Sequence, residues 1–591
     1  MLVAVLMLMS SFAALAAEDE APAKTFDTPL TVTGLSQGDT ANFYKIIEWV
    51  GETENDVGGW DVVSTYNSLR SEIIPAVLGT PEDPSTDEKE YVKPTGITSE
   101  LAGKLARVAN AEVVTGDISV KEGTEYQATL TNAEPGMWMA IVTPKDADTI
   151  YNPVFVSADY NTDEGGSVAV SDTYDGQKAV AKKSTVTLTK EFANSADYSG
   201  DNGQTTAVDD IVTFTVKTTI PGYAQIYENP VFKLHDKLTD LELQQANGNW
   251  DITVTGTGVT SDNYTIEDTT SASGYDITFK PAFLKTLTAA LPITVVYTAK
   301  VTSSALKAIN EEDNDVYIEY SHNPQDESDY DVKKDTTQHY TFTIDAEGLT
   351  NYEAHAGKKT SELVKIGLDA AGNPITDTKV NSWITKDEYW EGPLKGAQFG
   401  LYKEDQVTLT DGKHTAIKAN QTPYKTQTTG DDGRMTFAGL DEGTYYLKEL
   451  QAPTGYVLQT AIHTVVLAAE VDKVTVTEWW NGSKWVAEQP SSGIAKKVTY
   501  ETEILKSYTV TVDGEPTATY TFTNANTASS NEIKWEDAGL VEHPFELPNV
   551  KGTELPSTGG MGTTILYIGG SVLVILAAVL LITKRRMNAE D

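Results

Sequence analysis

A chain of 591 residues, 40% of them hydrophobic, is long enough for several domains and apolar enough to fill their cores, which excludes a disordered protein. Its net charge of −42 leaves no basic stripe for a nucleic-acid partner, and the acidity reads as a solvated surface that keeps a secreted protein soluble. The lack of cysteine removes disulfides, thiol nucleophiles and thiolate metal sites, and the 7 histidines show no metal-ligand spacing, so no cofactor and no metal is expected.

The chain opens with a short apolar run, Leu2 to Ala17, that contains the small-x-small signal Ala14-Leu15-Ala16. Residues 1–17 therefore read as a signal peptide, although the usual basic start is absent. From about Phe26 to Asn526, short segments rich in Val, Thr, Ile and Tyr alternate with Gly, Asn, Asp and Pro turns, as in Ile211-Val212-Thr213-Phe214-Thr215-Val216. This alternation predicts an all-β protein of tandem immunoglobulin-like β-sandwiches, each sheet burying one face. Three bodies are expected, at 27–183, 184–337 and 338–526. Helix is sparse, with one candidate at Ile97–Ala109, and no nucleotide-binding glycine pattern links a strand to a helix.

Residues 527–554 are polar, with Pro544 and Pro548, and read as a linker. Leu555-Pro556-Ser557-Thr558-Gly559 comes next, then an apolar stretch at 561–583, then a tail at 584–591 that begins Lys584-Arg585-Arg586. The apolar stretch is long enough for a transmembrane helix, and the basic cluster marks its cytoplasmic end. Pro556 fixes its own φ and disfavours helix at Leu555, so the pentapeptide is presented extended or kinked. The three parts in this order resemble the cell-wall sorting signal of sortase substrates. That resemblance implies cleavage after Thr558, transfer of its acyl group to an amine, and a membrane-anchored precursor that ends at the cell wall.

A wider resemblance rests on the third body. There Leu363-Val364-Lys365-Ile366-Gly367-Leu368-Asp369 is followed by Gly392-Pro393-Leu394-Lys395-Gly396-Ala397-Gln398-Phe399, Gly443-Thr444-Tyr445-Tyr446-Leu447-Lys448-Glu449, Ala452-Pro453-Thr454-Gly455-Tyr456 and Tyr520-Thr521-Phe522-Thr523-Asn524. In this order the segments are similar to Cna B-type domains of the backbone (shaft) pilins of Gram-positive sortase-built pili. The resemblance implies an intramolecular isopeptide bond between Lys365 and the Asn524 carboxamide, catalysed by Glu449. The chemistry is coherent: burial lowers a lysine pKa and raises a carboxyl pKa, giving a neutral amine nucleophile beside a protonated acid. Each residue alone reads more plainly, Lys365 as a strand lysine with its head in solvent and Glu449 as a surface carboxylate.

The second body resembles the second pilin domain, with Lys190, Asp236 and Asn323 as nucleophile, acid and amide. Asn314 remains an alternative to Asn323. The first body shows no comparable triad. Shaft pilins also need an acceptor lysine near their first domain boundary, and alignment onto Gln177-Lys178-Ala179-Val180-Ala181-Lys182-Lys183-Ser184 favours Lys183, then Lys182, then Lys178.

The function implied is that of a shaft subunit supporting adhesion. Its partners would be sortases, other copies of itself, accessory pilins, peptidoglycan and a host or bacterial surface ligand. The same domains also suit a monomeric wall-anchored adhesin or a minor tip or base pilin. A wall-anchored glycosidase is a third reading, but no carboxylate pair sits in a recognisable catalytic setting, so turnover of an external substrate is not expected.

Overall fold

A computed structural model describes residues 29–50, 59–78, 80–81, 91–92, 95–109, 113–158, 160–161, 167–168, 177–194, 205–268, 273–302, 309–344, 362–373, 393–410, 413–431, 433–523, 534–535, 545–552 and 561–587. The signal peptide, Asn524 and the Leu555–Gly559 motif with its Thr558 lie outside the described residues.

Among the described residues ahead of the C-terminal helix, the β expectation holds. In the first domain, strand Leu30–Leu35 lies between Glu125–Leu130, antiparallel, and Lys178–Val180, parallel. A second sheet is built on Thr40–Val50, Gly136–Thr143 and Val154–Ala158. Leu30, Val32, Phe43, Trp138 and Val156 fill the space between the sheets. The outer face of the second sheet is covered by helix Ser99–Val108, close to its expected limits. Thr98 starts that helix by accepting a hydrogen bond from Leu101 N at 3.1 Å, and Leu101, Leu105 and Ala106 form its buried stripe.

The second domain is a sandwich whose core joins Phe214, Val216 and Tyr297 from one sheet to Leu234, Ile277 and Ile318 from the other. Strand Ile211–Ile220 shows why it forms there: Val212, Phe214, Val216, Thr218 and Ile220 all face inward. One sheet contains Leu188–Asn194, Ile211–Ile220 and Leu291–Val301, and the other Gly274–Phe279, Phe232–Leu238, Ile309–Ser321 and Tyr330–Ile344.

The expected boundary at 337/338 falls inside strand Tyr330–Ile344. This strand pairs with Ile309–Ser321, while its far end, Tyr340, Phe342 and Ile344, belongs to the third domain's core. A continuous strand therefore joins the two domains, and no glycine or proline interrupts it.

The third domain corrects the expected linker. Within 527–554, Phe545–Val550 is a strand that pairs parallel with Leu363–Leu368. Its alternation explains the difference: Leu547 and Asn549 are buried, while Phe545, Glu546, Pro548 and Val550 are less so. Strands Ile462–Trp480 and Lys496–Val512 form a long hairpin that outruns the domain and lies against strand Tyr330–Ile344 of the second. Along this arm Lys334 Nζ meets Glu478 at 2.7 Å and Lys496 meets Asp329 at 2.6 Å, and Trp480 packs on Tyr317. Burial alone would lower the Lys334 pKa, but the charges of Asp315 and Glu478 outweigh it and raise it.

Helix Met561–Met587 includes a 21-residue stretch, Leu566–Arg586, long and apolar enough to cross a membrane.

Candidate functional site

Two buried centres, one in each of the second and third domains, bring together a lysine, a carboxylate and an asparagine. In the second, the period of two in Val186, Leu188, Lys190 and Phe192 turns Lys190 into the core with its apolar neighbours. Lys190 and Asp236 have fully buried side chains, and Lys190 Nζ lies 3.0 Å from Asp236 Oδ1 and 2.8 Å from Oδ2. Lys190 Nζ also donates to Asn314 Oδ1. The rings of Phe214 and Tyr297 each stand 5.5 Å from the amine. Burial lowers the Lys190 pKa and raises that of Asp236, and the attraction between their charges opposes both shifts. Both shifts favour a neutral amine beside a neutral acid.

Asn314, not Asn323, faces Lys190. Asp236 is level with Val316 across the sheet, so Asn314, two residues along, shares its face. Asn323 lies beyond the end of strand Ile309–Ser321, and its Oδ1 accepts from Gln325 N at 3.0 Å in a local turn. Strand parity in Asn314-Asp315-Val316-Tyr317-Ile318 carried this signal, since Asn314, Val316 and Ile318 are all buried.

In the third domain the carboxamide beside Lys365 is that of Asn549. Lys365 Nζ donates to Asn549 Oδ1 and lies 3.2 Å from Glu449 Oε1, with Lys365 fully buried and Glu449 nearly so. Asn549 Nδ2 donates to Glu449 Oε2 at 3.0 Å and to Val457 O at 2.9 Å. Gln459 N fixes the same carboxylate oxygen at 2.7 Å, and the Phe399 ring stands 5.4 Å from the amine. Burial pulls the Lys365 pKa down to about 8, against the pull of Glu449. The expected partner, Asn524, lies outside the described residues; among the described residues the carboxamide beside the lysine is that of Asn549. The parallel register sets Lys365 level with Leu547 and Gly367 level with Asn549, so the two side chains meet on one face. The signal was the alternation Phe545, Leu547, Asn549 just ahead of the sorting motif.

Two of the three candidate acceptor lysines at the first boundary lie in strands. Lys178 belongs to a strand of the first domain, and Lys183–Thr185 pairs with Thr149–Tyr151. Lys178, Lys182 and Lys183 are nevertheless exposed, and Lys183 Nζ donates to Ser36 Oγ at 3.2 Å. That platform is tied by buried Asp39, which accepts from Ser36 N, Lys145 N and the Tyr151 hydroxyl at 2.7, 3.0 and 2.7 Å.

Residues 381–480 match a family described as the SpaA prealbumin-like fold domain, and residues 548–589 match the LPXTG cell wall anchor motif. The chain is 24% identical over 596 aligned positions to the trypsin-resistant surface T6 protein of Streptococcus pyogenes serotype M6, covering 94% of each. Among solved structures, the T6 backbone pilin of serotype M6 Streptococcus pyogenes superposes with a TM-score of 0.48 at 18% identity, covering 91% of this chain and 100% of that one. The full-length major pilin SpaD of Corynebacterium diphtheriae superposes with a TM-score of 0.40 at 16% identity, covering 73% of this chain and 90% of that one.

Proposed function

We propose that this chain is the repeating shaft subunit of a covalent pilus on a Gram-positive cell surface, stapled internally by two isopeptide bonds, Lys190–Asn314 and Lys365–Asn549. The observation that carries this reading is the pair of buried lysine–carboxylate–asparagine centres in a chain that carries a cell-wall anchor motif. The similarity to a streptococcal surface protein over nearly its full length supports it.

In each centre the neutral amine attacks the carboxamide carbon, the acid carries protons from the attacking to the leaving nitrogen, and ammonia departs. Asp236 serves the second domain and Glu449 the third. Each reaction happens once, so the chain is a self-modifying structural protein rather than an enzyme acting on an outside substrate. The residues joined stand 124 and 184 positions apart. By analogy with a disulfide closing a loop of that size, each link stabilises by roughly 5 kcal/mol.

Polymerisation would join Thr558 of one subunit to Lys183 of the next, with Lys182 and then Lys178 as the other exposed amines of that platform. A sortase would make that bond, with further copies, accessory pilins and finally peptidoglycan as covalent partners, and a surface ligand contacted by the finished fibre. The test is a denaturing gel of wall extracts and a tryptic digest. The shaft reading expects a high-mass ladder and a branched peptide linking Lys183 to Thr558. A single band with Thr558 bound only to peptidoglycan overturns it in favour of a monomeric adhesin.

A further inference from the structure

The two centres are wired differently at the leaving nitrogen. In the third domain one carboxylate touches both nitrogens: Glu449 Oε1 lies 3.2 Å from Lys365 Nζ, and Oε2 accepts from Asn549 Nδ2 at 3.0 Å. In the second domain Asp236 is one methylene shorter, and both of its oxygens are drawn onto Lys190 Nζ. The nitrogen that must leave, Asn314 Nδ2, instead donates to the Tyr297 hydroxyl at 2.6 Å. That hydroxyl in turn lies 3.0 Å from Asp236 Oδ1 and 3.1 Å from Oδ2 and donates to the carboxylate.

We infer that Tyr297 is a catalytic residue of the second domain's self-linking reaction, relaying a proton from Asp236 to the departing nitrogen of Asn314. The inference rests on the isopeptide reading above. Lys190 Nζ attacks Asn314 Cγ, and the bond from Cγ to Nδ2 breaks. Nζ gives one proton to the free oxygen of Asp236. Once the attack makes Nδ2 pyramidal and frees its lone pair, both hydrogen bonds reverse their sense: the acid's own proton passes to the Tyr297 oxygen as the phenolic proton passes to Nδ2, which leaves as ammonia. Asp236 and Tyr297 end as they began, and no other reactant is needed.

Several features fit a relay. Tyr297 is fully enclosed, and burial holds its pKa far above the usual phenol range, so it stays protonated and able to donate. Its position is fixed by the sheet, where Tyr297 is level with Phe214 and stacks on it with centroids 5.2 Å apart. A second phenol provides an internal control: the Tyr275 ring packs edge-on against Tyr297 with centroids 5.1 Å apart, and its hydroxyl also donates to Asp236, at 3.2 Å, but among the described residues that hydroxyl bonds the acid and not the Asn314 amide.

The experiment compares intact mass and cross-linked peptides for the wild-type ectodomain and its Tyr297→Phe, Tyr275→Phe and Asp236→Asn variants, at harvest and over days of incubation. The wild type should show both ammonia losses at harvest. Tyr297→Phe should keep the Lys365–Asn549 link but form the Lys190–Asn314 link about 100-fold more slowly, in line with the usual contribution of a positioned proton donor. Tyr275→Phe should be linked at harvest. A Tyr297→Phe chain that is fully linked at harvest, or a Tyr275→Phe chain slowed equally, overturns the relay. A wild type that loses no ammonia instead overturns the isopeptide reading itself. If Tyr297→Phe melts below the unlinked Asp236→Asn reference, fluorinated tyrosine at position 297 replaces it. That residue keeps the ring and both contacts but changes the acidity, so an altered linking rate upholds the relay and an unaltered one refutes it.

Discussion

At the residue scale, the second and third domains depend on polar groups that only burial makes reactive. Asp236→Asn should leave the second domain folded but unlinked, about 16 Da heavier than wild type, because about 17 Da of ammonia is retained and the substitution itself removes about 1 Da. Its melting temperature should fall by roughly 10–20 °C, the loss expected for about 5 kcal/mol in a domain of this size. Asn549→Ala should abolish the third domain's link, whereas Asn524→Ala should leave it intact, a contrast read directly by peptide mapping. His339 supplies a pH dependence: stacked between Phe192 and Phe214 near Lys190, it is driven by burial down to about 3. The unfolded chain binds a proton there below about 6.5 and the folded chain does not, so stability falls as pH drops from about 6.5 toward 3. Half-buried Asp335, raised to about 6, works in the opposite sense between its ordinary value and about 6. His339→Phe should therefore flatten the acid side of the stability curve, by at most about 3 kcal/mol, as measured by denaturant titration at pH 4 and 7. Both lysines and both acids were legible in the sequence, because they sit in short alternating runs with clear motifs. The asparagines were harder, since a carboxamide is commonplace and only strand parity or long-range pairing separates Asn314 from Asn323 or points to Asn549.

At the scale of elements, alternation revealed the strands but not which strand meets which. The pairing of Leu363–Leu368 with Phe545–Val550 spans most of the third domain's sequence, and Pro548 together with the polar run before it disguised the last strand as linker. The arm formed by Ile462–Trp480 and Lys496–Val512 was hidden for a related reason: its strands look ordinary, and only its length sends it onto the neighbouring domain. The arm fixes the joint through the buried pair Lys334 and Glu478, supported by the Tyr500 hydroxyl donating to Glu478 at 2.8 Å. Glu478→Ala should strand the Lys334 charge with only Asp315, at 3.3 Å, to compensate. A loss of about 2–3 kcal/mol follows, with faster proteolysis of the arm, and the first domain's melting transition should not move. If the arm stays protected in that variant, the ion pair does not hold the joint.

At the scale of the molecule, the proposed links define which parts of the chain carry tension. From Lys183 the load runs to Lys190, crosses to Asn314, follows strand Tyr330–Ile344 toward Lys365, and crosses again to Asn549. The first domain hangs outside this route, and so does most of the second and third. Strand Phe545–Val550 then has a consequence for the finished filament. After Val550, Lys551 N is bonded to Leu368 O and Gly552 N to Gly455 O, so five residues, 553–557, separate the last anchored position from Thr558, the residue that would be joined. A spacer inserted after Gly552 should make the fibre visibly more supple in electron micrographs without preventing assembly. Without it, a tether of only five residues joins neighbouring subunits, and a tug at the tip should reach the wall as it does through a tow-chain, not an elastic cord.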